Sequence, residues 1–134
     1  MNKKLSFLVV AVVIGIGLGS AGTALLIGRT AGNSAACDKP VASAQSHQMM
    51  IMDDKVAPAN ITGKLCDSLT ITNMDDVSRE IAFGPHENHV AYDGIAAKRV
   101  GPNESLTVTL NQAGSFHWHD HDHDEVEGFF TVTK

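Results

Sequence analysis

Six of the seven histidines fall into two groups that could bind a metal ion. Four of them alternate with other residues between positions 114 and 128, at His117, His119, His121 and His123. Alternate residues of an extended chain point to the same side, and histidine is the commonest metal ligand. If a strand continues through this stretch, the sequence predicts four imidazoles along one side of it.

The second group is His86 and His89, in the segment Gly-Pro-His-Glu-Asn-His-Val. Five acidic residues and no basic residue accompany the later histidines between positions 114 and 128. Such carboxylates can orient metal-bound imidazoles and lower the cost of holding a divalent cation. We therefore expect the two groups to bind a metal together; the alternative is a solvated acidic edge without one.

The ligand types narrow the choice of metal. Imidazoles with few carboxylates suit Cu(II), Zn(II) or Ni(II), whereas Ca(II) and Mg(II) prefer sites made of oxygen ligands. The affinity order of the divalent metals favours copper where copper is available. Copper is the expected metal, with zinc as the alternative.

A run of thioethers follows His47, at Met49, Met50 and Met52. Thioethers suit Cu(I). Met50 and Met52 would share one face of a strand, where packing in the core is the simpler explanation. We treat His47 as structural.

Short alternating runs from position 48 onward predict strands that could position these side chains. The clearest run is Ser105-Leu-Thr-Val-Thr-Leu110, with its apolar residues on one face. Turn-forming pairs such as Gly84-Pro85 and Asp93-Gly94 separate the runs. No segment there keeps a helical period. Six to eight strands are expected, in a small antiparallel all-β sandwich.

The N-terminus predicts a different environment. Lys3 and Lys4 precede 24 uncharged residues, 5–28, which is long for the apolar region of a signal peptide and sufficient for a spanning helix. The lysines predict a cytoplasmic N-terminus with the remainder outside. We expect residues 1–28 to form a membrane anchor, or else a cleaved signal. A polar linker, 29–46, and the folded domain, 47–134, follow.

Charge and size exclude several functions. After the apolar segment the chain carries eight basic and fifteen acidic residues, a formal charge of −7. This charge argues against nucleic acid as a partner. A single small domain without a visible acid–base pair predicts a protein that is not an enzyme.

Cys37 and Cys66 could form a disulfide in an oxidising compartment; alternatively, Cys37 is free or intermolecular and Cys66 is a small buried residue.

The region 47–134 resembles a cupredoxin. Its Leu69-Thr-Ile-Thr-Asn73 and Gly101-Pro-Asn-Glu-Ser105 segments are similar to that family, and its histidine strand follows the copper-strand pattern Gly-x-Tyr-x-Tyr-x-Cys-x-x-His-x-x-Met-x-Gly. The matching positions are Gly114, Phe116, Trp118, His123 and Gly128. The resemblance implies a Greek-key β-sandwich and copper binding. It is strongest to the divergent, membrane-anchored domains described as EfeO-type or plastocyanin-like.

The departures from the pattern concern the metal ligands. Asp120 takes the place of the cysteine and Val126 that of the methionine. Without a thiolate there is no blue copper centre. Two ligand sets stay open, and we favour the one at the rim of the domain. The pocket set is His86 or His89 with Asp120 and His123. The rim set is His86, His89, His119 and His121, with Asp120 holding the strand turn.

The leading hypothesis is an extracytoplasmic protein that captures or buffers copper and is held at the membrane by its N-terminal segment. Two alternatives remain. One is a type 2 copper protein for electron transfer or redox chemistry. The other is an interaction module that kept the sandwich and lost the metal.

Overall fold

The computed structural model describes Cys37 and residues 43–134. Residues 43–134 form nine strands and no helix: β1 Ser46–Met52, β2 Lys55–Ala57, β3 Asn60–Lys64, β4 Ser68–Asn73, β5 Arg79–Phe83, β6 Ala97–Val100, β7 Ser105–Thr109, β8 Gly114–Asp120 and β9 His123–Thr133. The all-β expectation is confirmed. The expected anchor, 1–28, lies outside the described residues, and no helix within them could cross a membrane.

The strands form two sheets. One has the order β2-β1-β4-β7 and the other the order β3-β9-β8-β5-β6. The pairs β1/β4 and β3/β9 are parallel, so both sheets are mixed rather than wholly antiparallel as expected. The reason is that β1 and β4, like β3 and β9, are not consecutive in the chain, and the intervening strands allow a crossover.

Alternating apolar residues fill the space between the sheets. One buried core contains Met49 and Ile51 of β1, Leu69 and Ile71 of β4, and Phe83, Trp118 and Phe130 of the five-stranded sheet. The Trp118 indole Nε1 donates a hydrogen bond to the Met49 sulfur at 3.3 Å, across the two sheets.

Gly128 allows Trp118 to occupy its site. The two residues are paired across β8 and β9, and a Cβ at position 128 would come within 2.6 Å of the indole nitrogen. A glycine is therefore required opposite the tryptophan. This arrangement fixes β8, which carries part of the histidine group.

A disulfide joins Cys37 to Cys66. Of the two alternatives that the sequence left open, the structure has the paired one. Cys66 lies in the turn between β3 and β4, where its φ is 73° and its amide donates to the Leu110 carbonyl.

Candidate metal centre

The loop after β5 brings His86 and His89 over the five-stranded sheet. It begins at Gly84, whose φ of 84° and whose close approach to Val90 exclude a side chain. The Gly84 amide donates a hydrogen bond to the His117 carbonyl of β8, and the Val90 amide donates one to the Phe83 carbonyl of β5, both at 2.9 Å. These bonds hold the loop against β8.

The β8–β9 hairpin supplies the other histidines. β8 ends at Asp120, which pairs with His123, so His121 lies in a two-residue turn. The expected continuous row of four histidines is therefore interrupted after His119. His121 still returns to the group, because its amide donates to the Glu80 carbonyl of β5 at 2.8 Å.

Four imidazoles meet where this loop and this hairpin adjoin. We call His86, His89, His119 and His121 the rim cluster. The ring centroids of His86 and His121 are 4.5 Å apart, those of His89 and His121 4.8 Å, and those of His119 lie 5.4 Å from both His86 and His89. One ring nitrogen from each of His86, His119 and His121 lies within 4.8 Å of the other two.

Several of these nitrogens are buried without a hydrogen-bond partner. They include both nitrogens of His119, Nε2 of His89 and Nδ1 of His121. Buried polar groups in proteins are almost always hydrogen-bonded, and an unsatisfied one costs about 1–3 kcal/mol. With one nitrogen from each ring, His89, His119 and His121 could supply three donors to a bound metal ion.

The protonation state of His119 suits a ligand. It is 1% exposed and is paired with the buried Ala82 of β5. Burial lowers the pKa of His119, and the nearby His117 and His89 imidazoles lower it further. His119 is therefore neutral at pH 7, the form that binds metals.

Carboxylates orient two imidazoles at this edge. His86 Nδ1 lies 2.7 Å from Asp124 Oδ1, and His117 Nε2 lies 2.9 Å from Glu127 Oε2. Because Asp124 occupies Nδ1 of His86, it leaves Nε2 for a metal. The sequence indicated acids near the histidines, but it did not single out Asp124: the partner of His86 is 38 residues away in the chain.

Asp120 belongs to a different group, the Arg79 cluster of Arg79, Asp54, Asp75 and Asp120, and His123 lies beside it. The Arg79 guanidinium is buried; it donates to Asp120 Oδ2 at 3.1 Å and contacts Asp54 and Asp75. Asp120 Oδ1 accepts the backbone amides of Glu80 and Asp122. His123 Nδ1 lies 3.3 Å from Asp120 Oδ2.

These contacts occupy the Asp120 carboxylate and fix the turn of the hairpin, as the rim set assumed. His123 is not brought into the rim cluster. The structure thus separates the six candidate residues into four that lie together and two, Asp120 and His123, that lie beside Arg79.

His47 is held by Asp67. The distance from His47 Nε2 to Asp67 Oδ2 is 2.8 Å. Burial would raise the pKa of Asp67, but hydrogen bonds from the Gln45 and Lys64 amides and from His47 hold it at about 2. The structural interpretation of His47 therefore fits its contacts.

The expectation for the methionines was wrong. Met49 and Ile51 are the core residues of β1, whereas Met50 and Met52 lie on the outer face and are 40% and 54% exposed. Both faces of β1 carry apolar residues, so the sequence alone could not show which face is buried.

Solved structures with a similar fold include cupredoxins. A purple cupredoxin from Nitrosopumilus maritimus aligns with a TM-score of 0.55 and 17% identity over 65% of this chain and 99% of that chain. A Cu(I) form of an amicyanin mutant gives a TM-score of 0.53 and 21% identity, over 65% of this chain and 81% of the other. No protein-family model and no curated protein matches. The likeness is one of fold, and it confirms the expected sandwich.

Proposed function

We propose that this cupredoxin-like domain captures or buffers copper outside the cytoplasm, through the rim cluster and without catalysis. The observation that carries the proposal is His119, a buried neutral imidazole with neither nitrogen hydrogen-bonded, in contact with the three other histidines of the rim cluster. A bound metal ion would take the lone pair of one of those nitrogens. Nothing else in the cluster does so.

The choice of copper rests on the ligands and on the fold. All four side chains of the rim cluster are imidazoles, which suit copper and zinc, and copper binds such ligands more tightly. One similar structure, the amicyanin mutant, is described as a Cu(I) form. We therefore infer copper as the bound metal, with zinc as the competitor.

The residues do not fit a blue copper centre. Asp120 stands in the position of its cysteine and is engaged by Arg79, while Cys66 is in a disulfide. A centre of imidazoles alone supplies a firmly held copper ion rather than the thiolate pathway of blue copper proteins. This difference favours capture over electron relay.

The chain's own groups would admit and hold the ion. His86 is 45% exposed at its side chain and is oriented by Asp124, while His119 lies at the buried side of the cluster. The carboxylates of Asp124 and Glu127 add negative charge beside the cluster. An ion could thus reach the cluster from solvent and exchange its water for imidazole nitrogens.

We also propose that residues 1–28 hold the domain at the cytoplasmic membrane with the rim cluster outside. The support is the uncharged segment 5–28 after two lysines. The disulfide is consistent with an oxidising compartment.

A cavity gives some weight to a second function, a type 2 copper redox protein. A cavity of about 260 Å³ lies beside the loop after β5 and is bounded by Pro85, Val90, Tyr92, Phe116 and His117. None of the four rim histidines lines this space, but Pro85 and Val90 adjoin His86 and His89 in the chain. Redox turnover by the copper-loaded protein would favour this function over capture.

The experiment is metal analysis of the full chain after addition of copper and zinc and exhaustive dialysis. We expect one tightly held copper per chain, and its loss in the double variant His119→Ala with His121→Ala. Two single variants serve as controls. His47→Ala should keep its copper, and His123→Ala should keep it only if the rim set is right.

Retention by the His119→Ala/His121→Ala variant would refute the rim cluster. Loss of copper in His123→Ala alone would favour the pocket set. No retained metal in the wild type would favour the metal-free interaction module.

A further inference from the structure

Three of the five methionines lie exposed on the outer face of the four-stranded sheet. Met50, Met52 and Met74 are 40%, 54% and 47% exposed. Thioethers this exposed contribute little to the core. Met49, by contrast, is fully buried and its sulfur accepts the Trp118 hydrogen bond.

The sheet register places these three side chains next to one another. β1 and β4 run parallel with Ile51 beside Asn73, and the Met74 amide donates to the Ile51 carbonyl at 2.8 Å. Met74 therefore extends β4 by one residue alongside Met52. Adjacent strands lie about 4.8 Å apart, and residues i and i+2 of one strand about 6.6 Å apart on the same face. Flexible thioether side chains can bridge both spacings.

The rest of this face is polar. Thr70 and Thr72 of β4 are hydrogen-bonded through their hydroxyls to Thr107 and Ser105 of β7, both at 2.9 Å. The thioethers are thus grouped at one end of a hydroxyl-bearing surface. A general apolar patch would include several branched or aromatic side chains. The loop between β4 and β5 exposes one large apolar residue besides Met74, which is Val77.

The charges beside the methionines favour a cation. Met52 is followed by Asp53 and Asp54, and Met74 by Asp75 and Asp76. Arg79 engages Asp54 and Asp75, which leaves the exposed Asp53 and Asp76 side chains as the added negative charge. Lys55, which pairs with Met52, opposes them with one positive charge.

We propose that Met50, Met52 and Met74 form a second metal site, which binds Cu(I) through three thioether sulfurs. Thioethers are soft ligands that select Cu(I) over Cu(II) and over zinc. The site uses no residue of the rim cluster, so the domain would hold Cu(I) and Cu(II) at separate places. This goes beyond the proposed function and stands independently of it.

The test is an anaerobic titration of the full chain with Cu(I) against a chromogenic Cu(I) chelator, in the His119→Ala/His121→Ala background. Because that background lacks two histidines of the rim cluster, the titration reports on the methionine site separately from the rim cluster. We expect one equivalent of Cu(I) to be bound there, and this equivalent to be lost when Met50, Met52 and Met74 are all changed to leucine. Val77→Ala is the matched control and should bind normally.

Methionine methyl NMR locates the metal without relying on the variants. Cu(I) should shift the methyl signals of Met50, Met52 and Met74 and leave that of buried Met49 in place. Unchanged methyl signals, or a leucine variant that still binds the same Cu(I) equivalent, would overturn the proposal. If no Cu(I) is bound although the chain is folded, the surface is an apolar contact face instead.

Discussion

Two polar clusters adjoin the end of β8, and they differ in how many of their buried groups lack a partner: Nε of Arg79 in the Arg79 cluster, but four imidazole nitrogens in the rim cluster. Asp120 is 0% exposed, and its oxygens accept hydrogen bonds from Arg79 and from two backbone amides. Its neighbour His119 is 1% exposed, and neither of its nitrogens has a partner. The difference supports our proposals that the Arg79 cluster maintains the fold and that the rim cluster binds a metal ion.

Loss of Arg79 should have the largest effect on stability. In Arg79→Met, Asp120 would stay buried without its cation, and breaking a buried ion pair costs about 3–5 kcal/mol. Urea unfolding measures the loss. Arg99→Met is the matched control, because Arg99 lies exposed between Glu80 and Asp122 and should cost less than about 1 kcal/mol. Equal effects of the two variants would contradict the structural role of the Arg79 cluster.

Copper binding should have the next largest effect on stability, and it should act through the rim cluster. A ligand that binds only the folded state stabilises it by about 2.7 kcal/mol at 100 times its dissociation constant. We expect such a gain in unfolding experiments on the wild type. The gain should vanish in His119→Ala/His121→Ala, and its persistence there would place the metal elsewhere.

A smaller effect is expected at Asp67, the partner of His47. Its pKa is lowered from 3.8 to about 2 on folding, so its contribution is present above pH 4 and is lost as the pH falls towards 2. Asp67→Asn should remove roughly 1–2 kcal/mol at pH 7 and flatten the acid limb of the stability profile. The exposed Glu87→Gln is the control. An unchanged acid limb in Asp67→Asn would contradict this assignment.

The smallest effect should come from His119→Leu in the absence of metal. Since this imidazole makes no hydrogen bond, an apolar side chain of similar size should change stability by less than about 1 kcal/mol. His47→Leu, which removes one of the hydrogen-bond partners of the buried Asp67, should cost more. A large loss for His119→Leu without metal would show that His119 stabilises the fold itself.

The sequence predicted the strands whose alternation is regular, and it missed those without it. β4, β7 and the first part of β8 alternate clearly. β6 has three exposed residues before Val100, and β2 is only three residues long, so neither has a readable pattern. The parallel pairings depend on crossovers between distant segments, and local periodicity contains no information about them.

The candidate site was predictable in part for similar reasons. Residue type and spacing placed His86, His89, His119 and His121 in one set. The turn at His121-Asp122 lacks the usual Asn-Gly signal, so the sequence could not show that His123 leaves the row. The contact of Asp120 with Arg79 joins residues 41 positions apart, and only the folded sheet brings them together.

The most direct test of the central claim is the EPR spectrum of the full chain loaded with one equivalent of Cu(II). The rim cluster predicts an axial EPR signal with nitrogen hyperfine coupling. The optical spectrum of the same sample should lack an intense thiolate absorbance. That signal should disappear in His119→Ala/His121→Ala and persist in His47→Ala. A spectrum without nitrogen coupling, or one unchanged in the double variant, would contradict copper binding by the rim cluster.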